Sequence, residues 1–325
     1  MPAMPGEEAE FRGFPFLGKV ARQLGVPAEN LVKVFHIEKS FHESILRTSD
    51  PAKRQTMYAE LYSTVLPLLE SVNDTQEKNA EPTSYRSLVM RFRGELTGNS
   101  VLDVGCGNGR FLMAVDAILP HGELLGMDTS AAYLPTTPRV RFVQCDITRF
   151  TLHRTFDVVW SNNVLEHIAP VDVFTHLQSV FQVLSPRGHF IVVMPNRRWG
   201  PSDITRIVDN TFTGRVPAQG SHLNESLYAE AVPLMKSVGF QSVKTILPLP
   251  LSMTVPLLGS VRIRPWLPGL IESSGLLRWI TYKLKYEGKF WYKNPVILIC
   301  RKGTQGESGS IPRGRGTERQ RQGWK

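Results

Sequence analysis

Cysteine is scarce in this chain: three in 325 residues (Cys106, Cys145 and Cys300), far apart and without a CxxC or Cys/His spacing. That excludes a disulfide framework and a zinc knuckle, and it matches a reducing compartment. Long apolar runs are lacking too. The longest uncharged stretch, Thr245–Val261, holds 17 residues and is interrupted by Pro248, Pro250 and Pro256, whereas a membrane span needs about 20 apolar residues. The first ten residues carry Glu7, Glu8 and Glu10 and no basic start followed by an apolar run, so no secretory leader is expected. The expectation is a cytosolic protein. No compositional extreme is present either: with 42% hydrophobic and 21% charged residues the chain is globular, and disordered or collagen-like readings fail.

The net charge of +9 is unevenly placed. Residues 1–246 carry 24 Lys+Arg against 25 Asp+Glu; residues 247–325 carry 14 against 4. Residues 303–325 are rich in Gly, Ser, Gln and Arg with almost no apolar residue, so they are expected to be disordered. Residues 247–294 instead mix Trp266, Leu270, Leu276, Trp279 and Ile280 with Arg262, Arg264, Arg278, Lys283 and Lys285. Two readings stay open for them: an insertion that meets anionic lipid, or a cap on the core with its basic groups in water.

Residues 41–47 and 58–72 read as helices, with Leu61, Val65, Leu68 and Leu69 at helical spacing, and 71–82 as a loop. From Ser100 onward, short apolar strands alternate with helices, which indicates an α/β parallel sheet covered on both faces. Strands are expected at 100–104, 123–128, 140–144, 156–161, 189–194, 241–247 and 295–300. Helices are expected at 171–184, with Phe174, Leu177, Phe181 and Leu184 on one face, and at 225–238. Four parts follow: an N-terminal helical cap over 1–98, a core over 99–246 and 295–302, the insertion 247–294 and the basic tail 303–325.

The stretch Val101-Leu-Asp-Val-Gly-Cys-Gly-Asn-Gly-Arg110 runs from an apolar strand through Gly105, Gly107 and Gly109 into an apolar helix. Such glycines let a backbone turn tightly and bring its amides against a nucleotide-like ligand. The dinucleotide fingerprint would need glycine at position 110, where Arg110 stands. Asp128 ends the second strand, where an acceptor-only carboxylate can take both ribose hydroxyl protons.

Asp103-x-Gly105-x-Gly107-x-Gly109 resembles the first motif of the class I S-adenosylmethionine-dependent methyltransferases. Asp128, the Asp146-Ile147 pair and the stretch Phe156–Ile168 resemble the family's later motifs, in order. The resemblance covers 100–196 well. It implies a Rossmann-like seven-stranded sheet, mostly parallel, with 295–300 antiparallel between its neighbours. It implies S-adenosyl-L-methionine as cofactor, held by Asp103, Gly105, Gly107, Gly109, Asp128, Asp146, Ile147, Ser161 and Asn162.

Methyl transfer is a displacement in which positioning and exclusion of water dominate, and a hydroxyl acceptor gains from a base. His167, after the fourth strand, and His222, in the long loop after the fifth, are the candidates, each with a packing role as the alternative. Glu166, His167 and His222 could together hold a metal. Some metal-assisted methyltransferases carry E-x-x-E-H here, but Asn163 replaces the first acid, so no metal is expected. Arg197 and Arg198 are candidates for holding an anionic acceptor. The expected acceptor is small or lipid-linked and methylated on oxygen. An RNA or protein acceptor, and a non-catalytic protein on the same fold, are the alternatives; the near-neutral core and the lack of a nucleic-acid module disfavour RNA.

Overall fold

The structure, a computed structural model, describes residues 13–69, 83–130, 139–246, 261–285 and 295–304. The expected loop 71–82, nearly all of the tail 303–325 and much of the insertion 247–294 lie outside these residues.

Eight strands form one sheet: β1 (Val101–Val104), β2 (Leu124–Asp128), β3 (Val140–Gln144), β4 (Phe156–Asn162), β5 (Leu184–Met194), β6 (Ser242–Ile246), β7 (Arg262–Ile263) and β8 (Val296–Arg301), in the order β3-β2-β1-β4-β5-β8-β6-β7. The first five run parallel. The strand expected at 295–300 does lie antiparallel between its neighbours, β5 and β6. The count, however, is eight rather than seven. The added β7 pairs antiparallel with Thr245 and Ile246. Arg262 anchors it by donating from Nε and one Nη to the two carboxylate oxygens of Glu95, each at 2.8 Å.

The central strands are buried on both faces. One face packs Leu102, Val104, Val159, Phe190 and Leu298 against α7 (Pro170–Val183) and α8 (Tyr228–Val238). The other packs Val101, Val158, Trp160 and Ile299 against α4 (Thr83–Arg91), α5 (Arg93–Leu96) and α6 (Arg110–Ile118). Phe111 of α6 stacks on Trp160 with ring centroids 4.2 Å apart, which ties the helix after the glycine turn to β4. The buried stripe of α7 is Val173, His176, Leu177, Val180 and Val183. Phe174, expected on that stripe, is exposed instead, because the stripe is set one residue earlier.

A third core belongs to α1 (Leu17–Leu24), α2 (Ala28–Arg47) and α3 (Pro51–Leu69), which close around Leu31, Phe35, Ile45 and Leu61 together with Ile204 and Ile207. A buried ion pair fixes this cap to the sheet domain. Arg54 of α3 donates to both carboxylate oxygens of Asp172, in the first turn of α7, at 2.6 and 2.5 Å. Tyr58 continues the seam, its phenolic oxygen accepting from the Ala169 amide at 2.8 Å.

Candidate active site

The carboxyl ends of β1, β2 and β4 open on a cavity of about 650 Å³. In open α/β sheets, that edge is where ligands bind. Its floor is the turn between β1 and α6. There Gly105, Gly107 and Gly109 all hold positive φ (76°, 51° and 70°), a region that costs other residues strain. A side chain at 105 would also collide with Val164, whose Cγ2 lies 2.3 Å from where a Cβ would stand. At Gly107 a Cβ would meet nothing within 4 Å, since that residue faces open space.

Asp128 closes the turn from the next strand. Its Oδ2 accepts from the Gly107 amide at 2.8 Å and its Oδ1 from the Ser130 amide at 2.9 Å. A carboxylate has about four lone-pair sites, so capacity is left for a ligand's hydroxyls. Asp103 lies buried beneath the turn, and its carboxyl is pushed up to about 8 by burial and by the like charge of Asp128.

Of the other residues expected at the cofactor, Ile147 lines the cavity and Gly109 starts α6. Asp146 stands beside Ile147, but its Oδ1 accepts from the amide and hydroxyl of Thr148, at 2.8 and 2.7 Å. Ser161 is fully buried within β4 with its hydroxyl unpartnered among the described residues, and Asn162 is half-buried at the strand end. Asn163 and Val164, the residues just after them, form the wall instead. At Asn163 the chain turns through a positive φ of 55°, which carries it away from the strand.

His167 lines the same cavity, and His222 stands behind it with ring centroids 4.7 Å apart, edge to face. Burial and the neighbouring His222 push His167 down to about 3, so the ring is neutral. Burial also opposes charge on His222, but Glu225, Glu166 and Asp203 outweigh it and raise the group to about 9. The rings are oriented from outside the cavity. His167 Nδ1 lies 3.2 Å from the Ser221 carbonyl, and His222 Nδ1 lies 2.7 Å from Glu225 Oε1.

Sequence reasoning missed two contributions from the cap. The first is a face of α3: Tyr58, Tyr62, Leu66 and Leu69 line the cavity opposite the glycine turn, and the Tyr62 ring lies edge-on to His167 at 6.1 Å. Their spacing of four, four and three is itself a helical stripe, parallel to the Leu61, Val65 stripe that faces the core. The second is Glu38 of α2, whose Oε2 accepts from the Ser221 amide at 2.7 Å. Nothing in the local sequence announces it. Arg197, by contrast, does not face the cavity; it donates to Glu230 at 2.5 Å and to the Glu225 carbonyl at 3.3 Å.

Residues 101–188 match the methyltransferase domain family. A trans-aconitate 2-methyltransferase of Methylobacterium radiotolerans is 33% identical over 105 residues, covering 31% of this chain and 40% of that protein. The enzyme of that name from Shigella dysenteriae is 24% identical over 214 residues, covering 62% of this chain and 82% of that protein. This chain thus spans well under half of the first relative's length and most of the second's. Among solved structures, a plantazolicin methyltransferase in complex with SAH is 16% identical with a TM-score of 0.45, over 85% of this chain and 98% of that one. The glycine turn, the acid at the end of β2 and the open space before Gly107 fit S-adenosylmethionine, and residues 101–188 are a methyltransferase domain.

Proposed function

We propose that this chain transfers a methyl group from S-adenosylmethionine to an oxygen of a small-molecule or lipid-linked acceptor. One observation carries the reading: the glycine turn, Asp128 and Ile147 share a single cavity with His167 and Tyr62, which come from other parts of the chain. The cofactor supplies an activated methyl on a positively charged sulfur. Asp128 would take the ribose hydroxyl protons. Ile147 would cover the adenine with its side chain and offer its amide, with Asp146 alongside. Asp103, whose proton is retained by burial and a like charge, would regain its anion beside a bound cation.

The acceptor would enter against His167, Tyr62 and Leu66. The Ser221 carbonyl holds His167 with Nδ1 as the protonated nitrogen, which leaves Nε2 to face the acceptor's hydroxyl. The aromatic and aliphatic side chains of α3 would shield the in-line path from water. Calorimetry of the full chain with S-adenosylmethionine should show one binding site, and mass spectrometry of extracts incubated with protein and cofactor should show a product heavier by one CH2. Folded protein that binds no cofactor would end the reading.

A second observation bears on where the acceptor resides. In the insertion 247–294, α9 (Trp266–Ser273) and α10 (Gly275–Lys285) leave Trp266 61%, Leu276 67% and Trp279 57% exposed. Glu272 of α9 is buried and accepts from Asn196 Nδ2 at 2.6 Å and from the Tyr228 amide, so the helix pair is rooted in the core while its apolar side faces outward. Exposed Trp and Leu beside basic residues suit peripheral contact with an anionic membrane by a cytoplasmic enzyme. No helix among the described residues is long and apolar enough to cross one. Flotation with phosphatidylserine vesicles should fall when Trp266 and Trp279 are replaced by Ser; unchanged recovery would exclude this contact.

A further inference from the structure

Glu166, His167 and His222 converge so closely that one ligand-capable atom of each lies within 4.8 Å of the other two. Glu166 and His167 belong to the helical turn Leu165–His167 after β4, and His222 comes from the loop preceding α8. Hydrogen bonds to the Glu166 carbonyl from the Leu223 and Asn224 amides, at 2.7 and 2.9 Å, knit the two segments together. The Glu166 side chain is 0% exposed, yet both of its carboxylate oxygens lack a hydrogen-bond partner among the described residues. A buried carboxylate left so is costly unless a positive partner meets it; protonated His222 is that partner without a metal, and a bound cation would take the place of its proton.

The imidazoles show the complementary arrangement. Each has Nδ1 engaged, one on the Ser221 carbonyl and one on the Glu225 carboxylate, and neither Nε2 hydrogen-bonds to a described residue. Orientation through one nitrogen by a carbonyl or carboxylate, with the other left open, is how metal-binding histidines are held. We infer that Glu166, His167 and His222 form a site for one divalent transition metal. Two nitrogen ligands and one oxygen suit zinc, manganese or ferrous iron better than magnesium or calcium. The expectation of no metal rested on Asn163, but this ligand set does not need an acid at that position. Because His167 also lines the cavity, an open coordination position would face the acceptor. On the methyl-transfer reading, the metal would occupy His167 Nε2 in place of the acceptor hydroxyl and would itself ease loss of that hydroxyl's proton.

The test uses full-length protein stripped by chelator dialysis, then titrated with Zn²⁺ and Mn²⁺ by calorimetry and with Co²⁺ by visible absorption. One equivalent should bind, and Co²⁺ should show the intense bands of a low-coordinate nitrogen and oxygen site. Glu166→Gln, which keeps the side chain's size, and His222→Ala should each weaken binding at least about tenfold. Circular dichroism melts identify any variant that fails to fold, and Glu166→Gln then decides. Absence of stoichiometric binding, or binding unchanged in a folded variant, overturns the site. S-adenosylmethionine titrated into the stripped protein separates the two readings. Cofactor binding without metal binding sinks only the metal, and metal binding without cofactor binding sinks only the methyl transfer.

Discussion

Gly107, in the turn after β1, and Asp128, at the end of the neighbouring β2, are hydrogen-bonded across the floor of the cavity and lie 21 positions apart, whereas Glu38 and Ser221, which set the opposite wall, lie 183 positions apart. The donor side is a local device in which a strand end, three glycines and one acid from the neighbouring strand complete each other through backbone amides. The proposed acceptor side has no such unit. Its histidines come from two loops and its apolar wall from α3, and the loop that carries His222 is held by α2. Local devices tolerate remote change. A wall assembled from distant segments depends on every contact that holds those segments in place.

Substitutions in the cap can break or sharpen this contrast. The largest effect is expected at Arg54→Ala. It leaves Asp172 charged and unpaired in a seam where the Arg54 side chain is only 1% exposed. Loss of one partner of such a pair costs about 3–5 kcal/mol. Urea unfolding should register it, and a loss near zero would mean that the cap and sheet are not joined through this pair.

Gly220→Ala comes next. Its added Cβ would stand 2.5 Å from Glu38 Oε2 and 2.8 Å from Asp203 Oδ2, both anchored acceptors. Overpacking of that kind costs about 1–3 kcal/mol. The displaced loop should lower turnover while calorimetric affinity for S-adenosylmethionine stays within about twofold, because no donor-side contact passes through Gly220. Loss of cofactor binding in folded Gly220→Ala would erase the distinction between the two walls.

The third effect is a matter of pH. Burial pushes Glu38 up to about 7 from its ordinary 4.5. The folded state therefore holds this proton more tightly than the unfolded chain does. That contribution is full below about pH 4.5 and is lost as pH rises toward and through 7. Glu38→Gln removes the titration and keeps an oxygen for the Ser221 amide. Its unfolding free energy should change less between pH 5 and 8 than that of the parent, as thermal melts in matched buffers would show. Parallel curves would mean that Glu38 is ionised throughout.

Much of the donor side was legible because its determinants are periodic or contiguous. Apolar runs marked the strands, and β3 was placed at Val140–Gln144 from sequence. Positive φ at 105, 107 and 109 is what the glycine spacing implied. Errors arose where burial was chosen by a partner. The expected stripe of α7 contained Phe174, but the sheet selected Val173 and Val180. Ser161 and Asn162, expected at the cofactor, end β4 just before the turn at Asn163, whose residues line the cavity. The eighth strand has two residues, too few to carry a pattern, and depends on Glu95 as the anchor of Arg262.

The α/β order, the glycine bend and the acid at the end of β2 are properties of the sequence by itself, since each follows from backbone conformation and strand alternation within a short window. Which carboxylate meets which imidazole is a property of the tertiary structure alone. Glu166, His167 and His222 meet because the Leu223 and Asn224 amides tie the loop before α8 to the turn after β4, and Glu38 reaches that loop because the Arg54–Asp172 pair and the third core seat the helical cap on the sheet. The physical reason is that a buried charge is defined by its surroundings. The four residues lie on three separate segments, and no residue in the chain specifies the low-polarity space they share.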